Sequence, residues 1–342
     1  MEFSILMPVY QAQELMRESV DSVLAQSFDD FELLLADDGS TDESPAICDE
    51  YAAKNPGKVR VLHLEHRGLI AARRSAIKAA GGECIIWLDA DDLLEPGTLE
   101  ALHAMRLSAG DPDMIIYEFT AFYEDGRPDD RRQPLFPDQT LFEGEEAKKE
   151  LYELMIRTSA LNSIWTKAVR RELFQADPTD YEPYMANPFG EDAIQSLYPL
   201  TKASRILYTS SPFCRYRIRK TSIMHDFDRA SLDKRYNLGK IEFFKPFMKE
   251  WGLLDDEHMK LLQASTYRGV LDGILYFMRE ENYDQKAVRD YAVDFAEKHP
   301  DIRTYSRLRS LPARERLLFF LFGNGRFGTI RFIDRVRKLV KR

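Results

Sequence analysis

Between residues 3 and 88 four short apolar runs recur, and each is separated from the next by a stretch of helical periodicity. Phe3 to Val9, Phe31 to Ala36, "VRVLHL" and "CIIWL" have the length and composition of buried strands. Leu15, Val20, Val23 and Leu24 fall on one helical face, Ser44-Pro45 opens a second helix with proline where no N–H is missed, and "LIAARRSAIKAA" reads as a third. Strands and helices that alternate through short links leave few options. They predict an α/β fold, a mostly parallel sheet with helices on both faces. Ligands of such open sheets bind outside the carboxyl ends of the strands. Three polar clusters fall there: "PVYQ", "DDGSTD" and "DADD". They should meet at one edge.

The last cluster is the sharpest. Asp89, Asp91 and Asp92 follow an apolar strand directly, so they repel one another where the strand cannot solvate them. Mg²⁺ or Mn²⁺ commonly binds through one or two carboxylates plus substrate phosphates, which would cancel that repulsion. The competing reading is a polar loop that caps the next helix, because D-x-D is short and common. The "DDGSTD" turn, Asp37 to Asp42, offers an ionised Asp that can accept from a nucleobase N–H, or simply an Asx-turn with Gly39 at positive φ. Arg73, on the helix before the fourth strand, could face the same pocket or solvent.

Charge narrows the partners. A formal net charge of −9 over 342 residues argues against nucleic acid. From Asp301 to Arg342, however, 12 Lys and Arg stand against 3 Asp and Glu, whereas the first 300 residues carry 36 against 54. Such a basic end suggests contact with something anionic or a solvated helical face. Cys48, Cys84 and Cys214 are far apart and form no C-x-x-C pair, which fits a reducing compartment. "MEFSILMPVY" has no basic n-region or cleavage site, and "LLFFLF" is too short to span a bilayer. A cytoplasmic protein is expected, with peripheral attachment to the inner membrane face open.

Further along, Asp113 to Phe119 reads as a strand, Tyr123 to Pro134 as a charged loop or hairpin tip, Asn162 to Phe174 as helix and Arg205 to Ile218 as strand. The pattern turns helical from about Arg229. The expected organisation is two halves of one sheet domain, 1–105 and 106–225, and a helical region, 226–342.

The stretches "SILMPVYQ", "FELLLADDGSTDES", "GLIAARRSAIKAAGGECIIWLDADD", "IWTKAVRRELF" and "FGEDAIQSLYPL" together resemble a family 2 glycosyltransferase of the GT-A, Rossmann-like fold. The resemblance covers residue 3 to about 220; the combination in this order is specific, although no single piece is. It implies inverting transfer of a sugar from a nucleotide donor, by resemblance a UDP-sugar, to a glycan or lipid-linked acceptor. It assigns Pro8, Tyr10, Asp38 and Arg73 to the nucleotide-base pocket and Asp89 and Asp91 to the ribose, diphosphate and metal. Asp192 matches the general base, and Glu191 the acceptor site. A positioned carboxylate can take the acceptor proton as the bond forms, and a cation can screen the charge growing on the diphosphate.

The chain departs from the family pattern at Gln11 and His66, where Asn is usual, and at Arg74-Ser75-Ala76. "CRYRIRKTSIMH" resembles the segment that closes over the donor: Arg217, Arg219 and Lys220 would meet the diphosphate and Ser222 the substrate. His225 is a candidate metal ligand or phosphate contact. Beyond residue 229 only pattern speaks. Phe327, Ile330, Ile333 and Val336 recur at helical spacing among Arg and Lys, as in a helix lying on an anionic membrane, packed on the core, or in a homodimer contact. The rival readings are a D-x-D phosphatase and a non-catalytic sugar-nucleotide or glycan-binding protein on the same fold.

Overall fold

The computed structural model describes residues 1–129, 133–185, 190–219, 232–233, 238–279 and 283–330. The chain divides into two compact units: Met1–Tyr152 with Ala160–Arg219, and Glu153–Ser159 with Lys220–Arg342. The boundary expected near 225 falls in 220–231, outside the described residues.

The first unit is built on one ten-stranded sheet. In chain order it contains β1 (Phe3–Val9), α1 (Met16–Leu24), β2 (Phe31–Asp37), α2 (Ser44–Lys54), β3 (Val59–His63), α3 (Leu69–Ala79), β4 (Cys84–Trp87) and β5 (Leu93–Leu94). There follow α4 (Thr98–Ser108), β6 (Met114–Tyr123), β7 (Pro128–Asp129), β8 (Thr140–Glu143), α5 (Glu145–Arg157, which belongs to this unit only as far as Tyr152), β9 (Lys167–Arg170), α6 (Arg171–Gln175), α7 (Glu191–Lys202) and β10 (Arg205–Ile218). The path through the sheet is β3-β2-β1-β4-β9-β6-β10-β5. β1 is central and almost wholly buried, as its unbroken apolar sequence requires of a strand covered on both faces. It pairs in parallel with β2 from Phe3–Phe31 to Val9–Asp37, but with β4 only as far as Leu6–Trp87. Beyond Trp87 the chain leaves the sheet, which puts the Asp89–Asp92 turn at the carboxyl edge.

The sheet is parallel from β3 to β4 and mixed beyond, because β9 runs antiparallel to both its neighbours. This corrects the helix expected from Asn162 to Phe174. Ile164–Thr166 is a single 3₁₀ turn, Lys167–Arg170 is β9, and only Arg171–Gln175 is α-helical. Ala168 pairs with Ile86 on one side and Ile115 on the other. Filling a strand-wide gap between two buried strands outweighs local helical preference. β10 runs fourteen residues with register shifts either side of Pro212, where a missing N–H is tolerated.

The second unit is helical: α8 (Leu238–Glu250), α9 (Asp256–Arg279), α10 (Gln285–Lys298), a 3₁₀ segment (Pro300–Arg307) and α11 (Ala313–Gly323). Phe244, Leu262, Val270, Ile274, Phe277, Val288, Ile302, Phe319 and Phe322 are fully buried and form its core. Tyr267 and Tyr305 both donate to Asp301, and Tyr305 also reaches Gln263, which ties α9 to the 3₁₀ segment. Among the described residues no helix is long and apolar enough to cross a membrane.

Candidate active site

The three polar clusters do gather at the carboxyl edge, and each is set by its own hydrogen bonds. At the end of β2 the Asp38 N–H bonds Val9 O at 2.8 Å, which joins this turn to β1. The Asp38 carboxylate is buried and holds the 66–68 loop: Arg67 N donates to Oδ1 at 3.0 Å, Gly68 N to Oδ2 at 2.9 Å, and His66 Nδ1 lies 2.8 Å from Oδ2. A carboxylate accepts about four hydrogen bonds, so Oδ1 keeps capacity for a ligand donor. Gly39, at φ 69°, is required here because a Cβ would sit 2.9 Å from His66 N. Tyr10 is half exposed and stacks on His66, ring centroids 4.2 Å apart and planes 10° from parallel. Pro8 lies on β1 opposite Ala36, half-buried beneath this turn. Gln11 takes a left-handed φ of 50°, and its Oε1 accepts from Thr41 N at 2.8 Å. The family departures at 11 and 66 therefore knit the pocket wall internally.

Beyond β4 the three carboxylates separate by role. Asp92 is buried; its Oδ1 accepts the Arg217 N–H at 2.8 Å, and its Oδ2 has no partner. Burial, with Asp89 and Asp91 adding to it, pushes Asp92 far above the usual carboxylate range. Asp92 is thus a peg between the turn and β10. Asp91 is partly exposed, and Arg219 Nη1 lies 3.3 Å from its Oδ2. Asp89 is raised to about 6 by burial, opposed by Arg73 and reinforced by Asp192 and Asp91.

Arg217 was expected at the diphosphate. Its Nε instead donates to Asp91 O at 2.9 Å and its Nη2 to Glu18 at 2.7 Å, while the guanidinium lies over Phe122. Those two donors brace the acidic turn. Ser222 and His225 lie outside the described residues.

Arg73 is the junction. Its side chain is 1% exposed on α3, with the guanidinium 5.6 Å from the Trp87 ring centroid. Nη1 bonds Asp192 Oδ1 and Nη2 reaches Asp89 Oδ1 at 3.5 Å. Burial disfavours the charge, but Asp192, Asp89 and Glu191 outweigh it and its pKa is raised. The resemblance assigned Arg73 to the base pocket; its partners in the fold are these two carboxylates. Glu191 and Asp192 form the first turn of α7, where the helix dipole favours acids. Glu191 is nevertheless pushed well above the ordinary glutamate range by burial and then by Asp192, with Arg73 opposing.

One participant went unnoticed in the sequence. Lys167 is buried at the start of β9, and its Nζ donates to Leu161 O at 2.8 Å and to Ser163 O. Burial lowers its pKa to about 7, with Asp192 opposing. The only signal was its place in "IWTKAVRRELF".

Among the described residues no group of three or more His, Cys, Asp or Glu is arranged to cage a metal ion. A divalent cation held by one or two carboxylates and completed by phosphate and water would find Asp89 and Asp91 partly exposed at this edge.

The glycosyl transferase family 2 model matches residues 4–175. EpsH of Bacillus subtilis is 29% identical over 260 residues, covering 75% of this chain and 72% of that protein. The crystal structure of S. aureus TarS 1–349 superposes with a TM-score of 0.58 at 19% identity, covering 99% of this chain and 92% of the other; that protein was also solved with UDP and with UDP-GlcNAc. The mannosyltransferase PcManGT of Pyrobaculum calidifontis, solved with GDP-Man and Mn²⁺, gives 0.50 at 16% identity, covering 94% and 86%. With its α/β sheet, its acidic turn beyond β4 and a family model spanning half its length, the chain belongs to glycosyl transferase family 2 and is a glycosyltransferase.

Proposed function

We propose that this enzyme moves a sugar, with inversion, from a UDP-sugar to a hydroxyl of a glycan or lipid-linked glycan acceptor, with Asp192 as general base. One observation carries the reading: a single buried guanidinium, Arg73, joins Asp89 of the D-x-D turn to Asp192, which is 119 residues from Arg73 in sequence. A donor-side acid and an acceptor-side acid thereby share one centre, as displacement at an anomeric carbon demands. The D-x-D phosphatase reading falls with family membership.

In this reading Tyr10, with Pro8 beneath, offers the ring face for the nucleobase, and Asp38 Oδ1 accepts from it. Asp91 and Asp89 would hold a divalent cation, Mn²⁺ or Mg²⁺, which when bound screens the charge growing on the departing diphosphate. Asp192 takes the proton of the attacking hydroxyl as the new bond forms. Arg73 fixes the direction of Asp192. Glu191, which favours its protonated form, donates to an acceptor oxygen. Arg219 faces the diphosphate beside Asp91. The TarS complexes support a uridine nucleotide and a GlcNAc-type sugar, and PcManGT supports Mn²⁺.

The test is a panel of sugar nucleotides with and without Mn²⁺, read by melting temperature, followed by turnover with the best donor. A UDP-sugar should stabilise the chain more in Mn²⁺ than without it. Asp192→Asn should bind that donor as before and lose about 10²- to 10⁴-fold in kcat. Normal transfer by Asp192→Asn overturns the assignment of the base.

A further inference from the structure

The helical unit carries a surface that the transfer reaction does not use. α11 buries one face: Phe319 and Phe322 are fully buried, packed against Tyr305 and Phe295 with ring centroids 5.7 and 6.4 Å apart. The opposite face is apolar as well. Leu317 is 48% exposed and Phe320 52%, and exposed Ala313 falls on the same stripe one turn earlier. Helical geometry sets Arg314 and Arg316 on either side of that stripe. At the far end Gly323 packs on the Arg303 backbone, where a Cβ would sit 2.8 Å from Arg303 Cβ, so the exposed Arg303 lies one turn from Phe320. Arg326 is exposed just beyond.

An apolar stripe edged by cations has a definite complement. From 301 to 330 six arginines stand against Asp301 and Glu315, and six further basic residues against Asp334 follow to the end. The first 300 residues carry 36 basic against 54 acidic side chains, so an anionic surface would repel that body and attract this end. A second copy is a poor complement. Two exposed side chains fall far short of the roughly 800 Å² per partner of a stable interface, and a twofold contact would face arginines with arginines.

We propose that the outward face of α11 docks on an anionic bilayer, with Leu317 and Phe320 in the acyl boundary and Arg303, Arg314, Arg316 and Arg326 among the lipid phosphates. The sequence pattern alone had pointed to the final twenty residues; of its four apolar positions Phe327 and Ile330 are buried, and Ile333 and Val336 lie outside the described residues. The proposal stands apart from the assignment of donor and base.

The test is co-sedimentation of the full chain with vesicles of phosphatidylcholine, with and without phosphatidylglycerol, at low and high salt. Binding should need the anionic lipid and weaken with salt. Leu317→Ser with Phe320→Ser should reduce partitioning at least tenfold, roughly what losing two partly inserted apolar side chains implies, with the melting temperature held. Phe320→Trp should show a blue shift of its added emission on anionic vesicles. An unchanged partition of the double variant, or no emission shift, overturns the proposal. So does a wild-type dimer in light scattering that the double variant turns into a monomer, because the face would then belong to a second copy.

Discussion

Replacing Arg73 with methionine separates charge from packing at the centre of this site. The two side chains have similar length, so Arg73→Met leaves little cavity beside Trp87. It does remove the cation between Asp192 and Asp89 and leaves both, with Glu191, at a partly buried edge. Removing one partner of a buried ion pair costs about 3–5 kcal/mol. The carboxylate side chains are 21% and 32% exposed, so water recovers part of that and the lower end, about 3 kcal/mol, is expected near pH 8. The cost should depend on pH. Asp89 and Glu191 already have raised pKa values in the fold, and without Arg73 they rise further. An acid with a raised folded pKa contributes stability that is complete below its unfolded value, near 4, and lost as pH climbs through the folded value.

The deficit of Arg73→Met should therefore be largest at pH 8 and fall to less than half at pH 5, where the crowded acids take up protons. Paired thermal melts of wild type and variant at the two pH values measure it. Roughly 2–4 °C per kcal/mol for a unit of this size puts the pH 8 difference near 6–12 °C. Equal differences at pH 5 and pH 8 would refute the electrostatic account and leave only lost packing. Arg73→Lys restores the charge but not the fork that spans two carboxylates, so it should recover stability more than turnover.

Three further outcomes follow. Glu191→Gln mimics the protonated acid that burial favours, so it should keep most activity at pH 7 where Asp192→Asn does not; equal loss in both would cancel the division of roles. His63 bridges Asp49 and Asp37 at 3.0 and 3.1 Å and has a raised pKa through those two hydrogen bonds. Its contribution should be full below about pH 6.5 and vanish as pH rises through the folded value, so His63→Gln should lower the melting temperature at pH 5.5 and not at pH 9. The ring is 47% exposed, which keeps the effect under about 1 kcal/mol. Gly39→Ala forces a left-handed alanine against His66 N, costs about 1 kcal/mol and displaces the 66–68 loop, so calorimetry should find UDP binding weakened.

The alternating core was legible because apolar period is a local property: β1 and β4 lie within the runs that announce them, and β2 passes its run only by Asp37. β9 was not, since nothing in Lys167–Arg170 distinguishes a strand until β4 and β6 each present an open edge to it. The same limit applies to the site. Residue type marked Asp38, Asp89, Asp91 and Asp192, yet their partners come from elsewhere in the chain, from 16 residues away for Arg73 and Asp89 to 128 for Arg219 and Asp91.

Guanidinium groups meet two of the three carboxylates of the acidic turn, and a neutral backbone amide meets the third. Arg73 reaches Asp89, Arg219 reaches Asp91, and the backbone N–H of Arg217 donates to Asp92. A cation at Asp91 would therefore compete with the Arg219 guanidinium. Such a site should take Mn²⁺ weakly alone and much better once a diphosphate adds its own oxygens and draws Arg219 away. Calorimetric titration with Mn²⁺, with and without UDP, measures that coupling, and equal affinities in the two titrations would mean that the arginines do not guard the turn.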